Sequence, residues 1–205
     1  YIDPFALQDQ FDQIREKGFD QEELHYLAGL TTSEGQPVFS EDFLSHIKNN
    51  ELPKVEITVE DDDLAFQTTG EWSMVTFWET IVMSRVNEAY FEGMAKDKGL
   101  DLMEIYDEGQ RRLEEKISIL NDNPDIKFAD FGTRRHFSLR WQDHVISELL
   151  AKCPENILGT SNVALAHKYG VKPIGTFAHE MPMTYAGIAD ANAENIRESH
   201  NEMLS

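Results

Sequence analysis

The first chemical signal in this sequence is a basic island in an acidic chain. Acidic side chains outnumber basic ones 38 to 18, for a formal net charge of −20, yet Arg134, Arg135, His136 and Arg140 crowd into one short stretch. Guanidinium forks bind phosphate and carboxylate groups bidentately, so the stretch points to an anionic ligand; charges capping a surface helix are the plainer alternative. Arg134 and Arg135 directly follow Gly132-Thr133, and the dipeptide recurs. Phe131-Gly132-Thr133, Leu158-Gly159-Thr160 and Ile174-Gly175-Thr176 each close a short apolar run that reads as a strand. Glycine at a strand end permits unusual dihedrals or close ligand approach, and the threonine after it offers a hydroxyl. We expect three strand ends facing one site.

His179-Glu180 follows the third Gly-Thr pair. It is not the zinc motif H-E-x-x-H, because Met183 and Thr184 stand where the second histidine would be sought. Two readings stay open, a hydrogen-bonded structural histidine at a strand end or a catalytic one whose tautomer the adjacent carboxylate fixes. Asp130-Phe131-Gly132 spells a kinase motif without its companions. Phe131 reads as a core or ring-stacking residue. The acidic run Asp61-Asp62-Asp63 lacks the glycine and distal glutamate of a calcium loop and reads as a solvated turn. A single cysteine, Cys153, excludes an internal disulfide and a multi-cysteine zinc site. The charge balance argues against nucleic-acid or anionic-membrane partners, and no apolar run is long enough to span a bilayer. A cytoplasmic location is expected.

The elements that must position these residues can be read from spacing. Asp3-Pro4 starts a helix that Gly18 stops, Asp20 opens a second and Ser40 a third. Segments 54–60 and 64–69 alternate with period two and predict a hairpin. Met74, Trp78, Val82 and Val86 recur at four and predict a largely buried helix over 72–91. Ile105, Leu113, Ile117 and Leu120 give another over 102–120, broken at 121–125. The pattern then becomes strand, Gly-Thr, helix. Phe137, Trp141, Val145 and Leu149 mark one helix, Val163 to Tyr169 a second, and Asn192 to Met203 a charged third. Such βα units belong to a parallel sheet or barrel, where functional groups gather at the strands' C-terminal ends. Three strands do not close a barrel, so a longer protein is expected. Two regions follow, a helical N-terminal domain with a hairpin over 1–125 and a partial α/β barrel over 126–205.

Three motifs in order, DFGTRRHFS at 130–138, LGTSN at 158–162 and GTFAHE at 175–180, resemble those of the nicotinate phosphoribosyltransferase family, and GEWSMVTFWET at 70–80 resembles its approach to a long helix. The resemblance implies an α/β fold, an N-terminal α+β domain packed on an irregular, TIM-like α/β barrel of which this chain holds part. It implies a homodimer with shared active sites. The implied reaction joins nicotinate to phosphoribosyl pyrophosphate, giving nicotinate mononucleotide, with ATP as co-substrate and Mg2+ as cofactor. Carried over by motif, His179 takes the phosphoryl group with Glu180 beside it, Phe131 stacks on the pyridine and Arg134 lines the phosphoribosyl pyrophosphate site. Gly132, Thr133, Arg135, Thr160, Ser161 and Thr176 complete the substrate-binding set. Ser161 stands where nicotinamide-using relatives carry an aspartate, which would repel nicotinate's carboxylate, so serine favours the acid over the amide. His136 departs from the arginine often third in the basic run. A catalytically inactive or truncated relative, acting in ligand binding or as a scaffold, is the competing reading; half a barrel exposes sheet edges and is expected to be inactive alone.

Overall fold

A computed structural model of the chain describes residues 1–61, 63–176 and 178–188. It is a mixed α/β structure that divides into two compact units, Tyr1–Pro173 and Ile174–Ser205. The division falls inside the stretch that the sequence assigned to one partial barrel.

Local signals set the first helices. The Asp3 carboxylate accepts from the N–H groups of Phe5 and Ala6, Pro4 occupies the first turn, and α1 runs Pro4–Lys17. Gly18, at φ 57°, ends it in a conformation that side chains resist. Asp20 and Glu23 close a capping box over α2, Gln21–Ala28, and Ser40 caps α3, Glu41–Asn49. The hairpin follows as β1, Val55–Glu60, and β2, Asp63–Thr68, antiparallel from Val55 against Thr68 to Glu60 against Asp63. Asp61 at its tip takes φ 48°, the left-handed region that aspartate tolerates. Ile57 and Phe66 pair on the inner face. That face closes a core of Leu7, Phe11, Ile47, Leu52, Val55, Met74 and Trp78. Trp78 is 2% exposed, and its indole N–H donates to the Pro53 carbonyl at 2.8 Å, so burying this large ring leaves no polar group unpaired.

Helix α4, Trp72–Asp97, is 26 residues long, roughly 39 Å at the usual rise, and serves as the spine of the unit. Trp78 near its start faces the first core, while Ser84 and Asn87, farther along, bond to the segment around 134–136. Helix α5, Leu102–Asp122, places Leu113 and Ile117 in a second core with Leu149, Cys153 and Ile157. Three short parallel strands follow, β3 (Phe128–Asp130), β4 (Ile157–Thr160) and β5 (Lys172–Pro173), in the order β3-β4-β5. Their crossovers are α6, Leu139–Lys152, and α7, Val163–Tyr169. Asn156, just before β4, is 2% exposed and directs its carboxamide N–H groups at the carbonyls of Leu120, Asn123 and Ile126. One buried side chain thereby ties the end of α5 and its linker to the start of β4.

The second unit contains α8, Glu180–Ile188, preceded by a turn at His179. The expected charged helix over 192–203 lies outside the described residues. No helix among the described residues is long and apolar enough to cross a membrane.

Candidate functional site

Parallel pairing brings the C-terminal ends of β3, β4 and β5 to one edge of the sheet. The first two ends are joined by direct bonds. The Ser161 N–H donates to the Asp130 carbonyl at 2.8 Å, and the Thr160 hydroxyl donates to the Asp130 carboxylate at 2.8 Å. From Asp130 the chain turns back on itself: the Gly132 N–H reaches the Asp130 carboxylate at 3.2 Å, and the Arg135 N–H reaches the Gly132 carbonyl at 2.8 Å. Glycine is required at this turn by space. A Cβ on Gly132 would stand 2.9 Å from Asp130 Oδ1 and 3.1 Å from Gln142 Nε2.

The turn presents two of the expected ligand groups. The Phe131 ring is 39% exposed, so it is available for stacking and is not a core residue. Arg135 points outward and is exposed, whereas Arg134 is partly buried and pairs with Glu79 of α4. The amide of Asn87, two turns farther along α4, donates to the Arg134 carbonyl at 2.8 Å. Arg134 is therefore held from both ends, through its backbone by Asn87 and through its guanidinium by Glu79. A guanidinium kept at the strand edge with a carboxylate as resting partner suits exchange with an incoming anion.

Several expectations need correction. The Gly-Thr pairs do not share one place relative to their strands. β3 ends at Asp130, before Gly132; Gly159 and Thr160 are the last two residues of β4; β5 ends at Pro173, before Gly175. Proline lacks an N–H for a ladder, which limits β5 to two residues. Thr160 does not offer its hydroxyl to a ligand. It is fully buried, donating to Asp130 and accepting from the Asn162 N–H at 3.0 Å. Thr133 Oγ1 lies 3.4 Å from Gln142 Nε2 as an acceptor, while Ser161 keeps its side chain partly exposed beside the turn. His179 does not end a strand. It sits exposed in the turn before α8, with Glu180 as the first helical residue, and the Met183 N–H reaches the His179 carbonyl at 3.3 Å. Thr176 is exposed; with His179 and Glu180 it belongs to the second unit.

Of the polar residues beneath the turn, Gln142 gives no signal in the sequence, and His136 reads there as part of the basic island. His136 is buried, its Nε2 2.8 Å from Ser84 Oγ and its Nδ1 3.0 Å from Gln142 Oε1. Gln142, also buried, donates through Nε2 to Asp130 at 2.8 Å. His136 thus joins an internal network and adds no charge to the basic island's surface. Three of the other described histidines pack locally: His46 against Ser73, His144 against Gln110, and His167 stacked on Tyr26. Among the described residues no three acidic, imidazole or thiol groups converge as a set of metal ligands.

Fold and site together define a mixed α/β protein with an anion-suited turn at the C-terminal edge of a short parallel sheet. Residues 126–203 match the Nicotinate phosphoribosyltransferase (NAPRTase) family, which bears out the resemblance carried by the three motifs. The fold is similar, with a TM-score of 0.80 and 20% identity, to a nicotinate phosphoribosyltransferase from Porphyromonas gingivalis, over 98% of this chain and 48% of that one. It is similar to a nicotinate phosphoribosyltransferase from Vibrio cholerae, with a TM-score of 0.73 and 25% identity, over 98% of this chain and 48% of that one. A Saccharomyces cerevisiae protein provisionally assigned the same activity matches with a TM-score of 0.73 and 26% identity, over 98% of this chain and 50% of that one. The chain spans about half the length of the solved structures it matches.

Proposed function

We propose that this chain is the substrate-binding part of a nicotinate phosphoribosyltransferase, which joins nicotinate to phosphoribosyl pyrophosphate in NAD salvage. The observation that carries this reading is the family match over 126–203, which contains all three motifs of the candidate site. The turn at 131–135 supports it chemically: an exposed aromatic ring suits a flat pyridine, and the neighbouring arginines suit phosphate. In this reading Phe131 stacks on the base. Arg134 exchanges Glu79 for the ligand's phosphate groups, and Arg135 adds a second cation; both stabilise negative charge as pyrophosphate leaves. Ser161, in place of a carboxylate, accepts the acid in preference to the amide.

The finer reading couples the reaction to ATP. A ring nitrogen of His179 attacks the γ-phosphorus, the bond to the bridging oxygen breaks, and ADP leaves; water later releases the phosphoryl group as inorganic phosphate. Glu180 accepts from the other ring nitrogen and so leaves the attacking one with its lone pair free. The bound phosphoryl group brings roughly two negative charges, enough to rearrange nearby cations. Mg2+ travels with the phosphate groups, and the protein works as a homodimer with shared active sites, closing an irregular barrel around this sheet.

Turnover of nicotinate with phosphoribosyl pyrophosphate by the full-length protein, compared with nicotinamide and quinolinate, tests the reaction; no activity, or a preference for either alternative, overturns it. Incubation with ATP labelled at the γ-phosphate tests the coupling. Label on the wild-type protein and none on His179→Asn is expected; label that persists in the variant removes His179 from the mechanism.

A further inference from the structure

Beneath the turn runs a continuous chain of buried or partly buried polar groups, from Ser84 of α4 through His136, Gln142 and Asp130 to Thr160 of β4. We propose that Gln142 is the positioning residue of the 131–135 turn, and that His136, carrying a proton on Nδ1, holds Gln142 in the one orientation that works. The functional part of this inference rests on the reading given under Proposed function. Its structural part does not.

The argument starts from the carboxylate. Asp130 Oδ2 accepts from Gln142 Nε2 and from the Thr160 hydroxyl, both at 2.8 Å, while Oδ1 accepts the Gly132 N–H. Reversing the Gln142 amide would set its oxygen against the carboxylate, acceptor against acceptor, in a buried place where that is costly. Gln142 Oε1 must therefore face the other way. There it meets Asn162 Nδ2 at 3.2 Å and His136 Nδ1 at 3.0 Å. The orientation of Asn162 is fixed independently, because its Oδ1 accepts the Leu165 N–H at 3.1 Å as the N-cap of α7. With Oε1 able only to accept, His136 Nδ1 must carry a proton. Its Nε2 lies 2.8 Å from the Ser84 hydroxyl, which can serve it as either donor or acceptor.

Each member has its donors and acceptors matched, so the network is rigid. Its output is the position of the turn. Asp130 holds the Gly132 N–H, Gln142 reaches Thr133, and α4 grips the Arg134 carbonyl through Asn87. Gln142 and Asn87 are distant from Phe131 in sequence, yet with Asp130 they set where its ring and the Arg134 guanidinium stand.

The test uses nitrogen-15 NMR and amide exchange on the 205-residue chain, with no reaction required. Long-range imidazole correlations should show His136 as the Nδ1–H form. Gln142→Met keeps the volume and removes both amide groups; the Gly132 and Arg135 amides should then exchange at least about tenfold faster, with amides in the middle of α5 unchanged. In the wild-type background, His136→Asn keeps an N–H towards Gln142 and should retain most of the protection at Gly132 and Arg135, whereas His136→Leu should lose it. An Nε2–H tautomer, or unchanged exchange at Gly132 and Arg135 in Gln142→Met, overturns the proposal. In an assay of phosphoribosyl transfer by the full-length protein, Gln142→Met should raise KM for phosphoribosyl pyrophosphate at least about tenfold, more than it lowers kcat, as expected for lost ligand positioning. An unchanged KM with active wild-type protein overturns the functional part. Absence of transfer by the wild-type protein counts against the proposed function and leaves the NMR result to decide the positioning role.

Discussion

Replacing Asn156 by alanine removes a carboxamide that serves three carbonyls at once, Ile126 at 2.8 Å, Asn123 at 3.1 Å and Leu120 at 3.3 Å. An amide nitrogen has only two protons, so the three contacts amount to two full hydrogen bonds, worth about 2 kcal/mol at the usual net value. The residue is 2% exposed, and the vacated space adds to the loss, for a total of about 2–3 kcal/mol. For a chain of this size that lowers Tm by about 4–12 °C. Asn156→Asp keeps the shape but turns two donors into charged acceptors facing carbonyl oxygens, so it should cost more than alanine at neutral pH. The sign with pH is distinctive. The new carboxylate would be disfavoured in the folded state and its pKa raised, so its penalty is full above the folded value and is relieved as pH falls through it. Thermal unfolding followed by circular dichroism at pH 7 and pH 5 measures both effects. An alanine variant that melts with the wild type, or an aspartate variant as stable as wild type at pH 7, would refute the reasoning.

Three further outcomes are expected. Gly109→Ala should lower Tm although alanine is the better helix former by about 1 kcal/mol, because the added Cβ would stand 2.8 and 2.9 Å from Trp141 ring atoms; a higher Tm would show that α5 and α6 part without cost. Asp143 accepts from Lys168 and from the Tyr169 hydroxyl, which hold its carboxyl below its ordinary value of 3.8. That stabilisation is complete above the ordinary value and is lost as pH falls through the depressed one, so Asp143→Asn should lower Tm by about 1–3 °C at pH 7 and converge with wild type in strong acid; a pH-independent gap contradicts it. Burial pushes the Cys153 thiol up, so it should react with a disulfide reagent only after denaturation, and rapid labelling of native protein would show an open second core.

Much of the frame was legible because its signals are local. Asp3, Pro4 and Gly18 bound α1 by capping chemistry alone, and the period-two runs gave the hairpin. Helix α4 extends to Asp97, past the expected end at 91, because the polar stretch after Phe91 still buries Ala95 completely. The apolar stripe Trp141, Val145 and Leu149 correctly gave α6, but it conceals that the helix is buried on a second side as well. There Gln142 and Ile146 are covered, and a glutamine carries no apolar periodicity to reveal it. For the candidate site, the arginines could be anticipated from residue type, whereas for Phe131 residue type left core and stacking roles open, and its exposure removes the first. What Arg134 pairs with, why Gly132 has no room for a side chain, and where the Thr160 hydroxyl points depend on partners distant in sequence. The strand ends failed for a related reason: strand limits are set by neighbouring backbone, and the Gly-Thr pairs carry no information about that.

The bonds that fix the turn to α4 join residues far apart along the chain, Glu79 with Arg134 across 55 positions, Ser84 with His136 across 52 and Asn87 with Arg134 across 47. Chain closure of that span carries its entropic cost before any of these contacts is gained. Helices α4, α5 and α6 can take shape from nearby residues, but the turn cannot; it waits for α4 to dock. The turn's hold on α4 is accordingly expected to form late in folding, and amide exchange under mild denaturation should show the Gly132 and Arg135 amides opening before those of the helices.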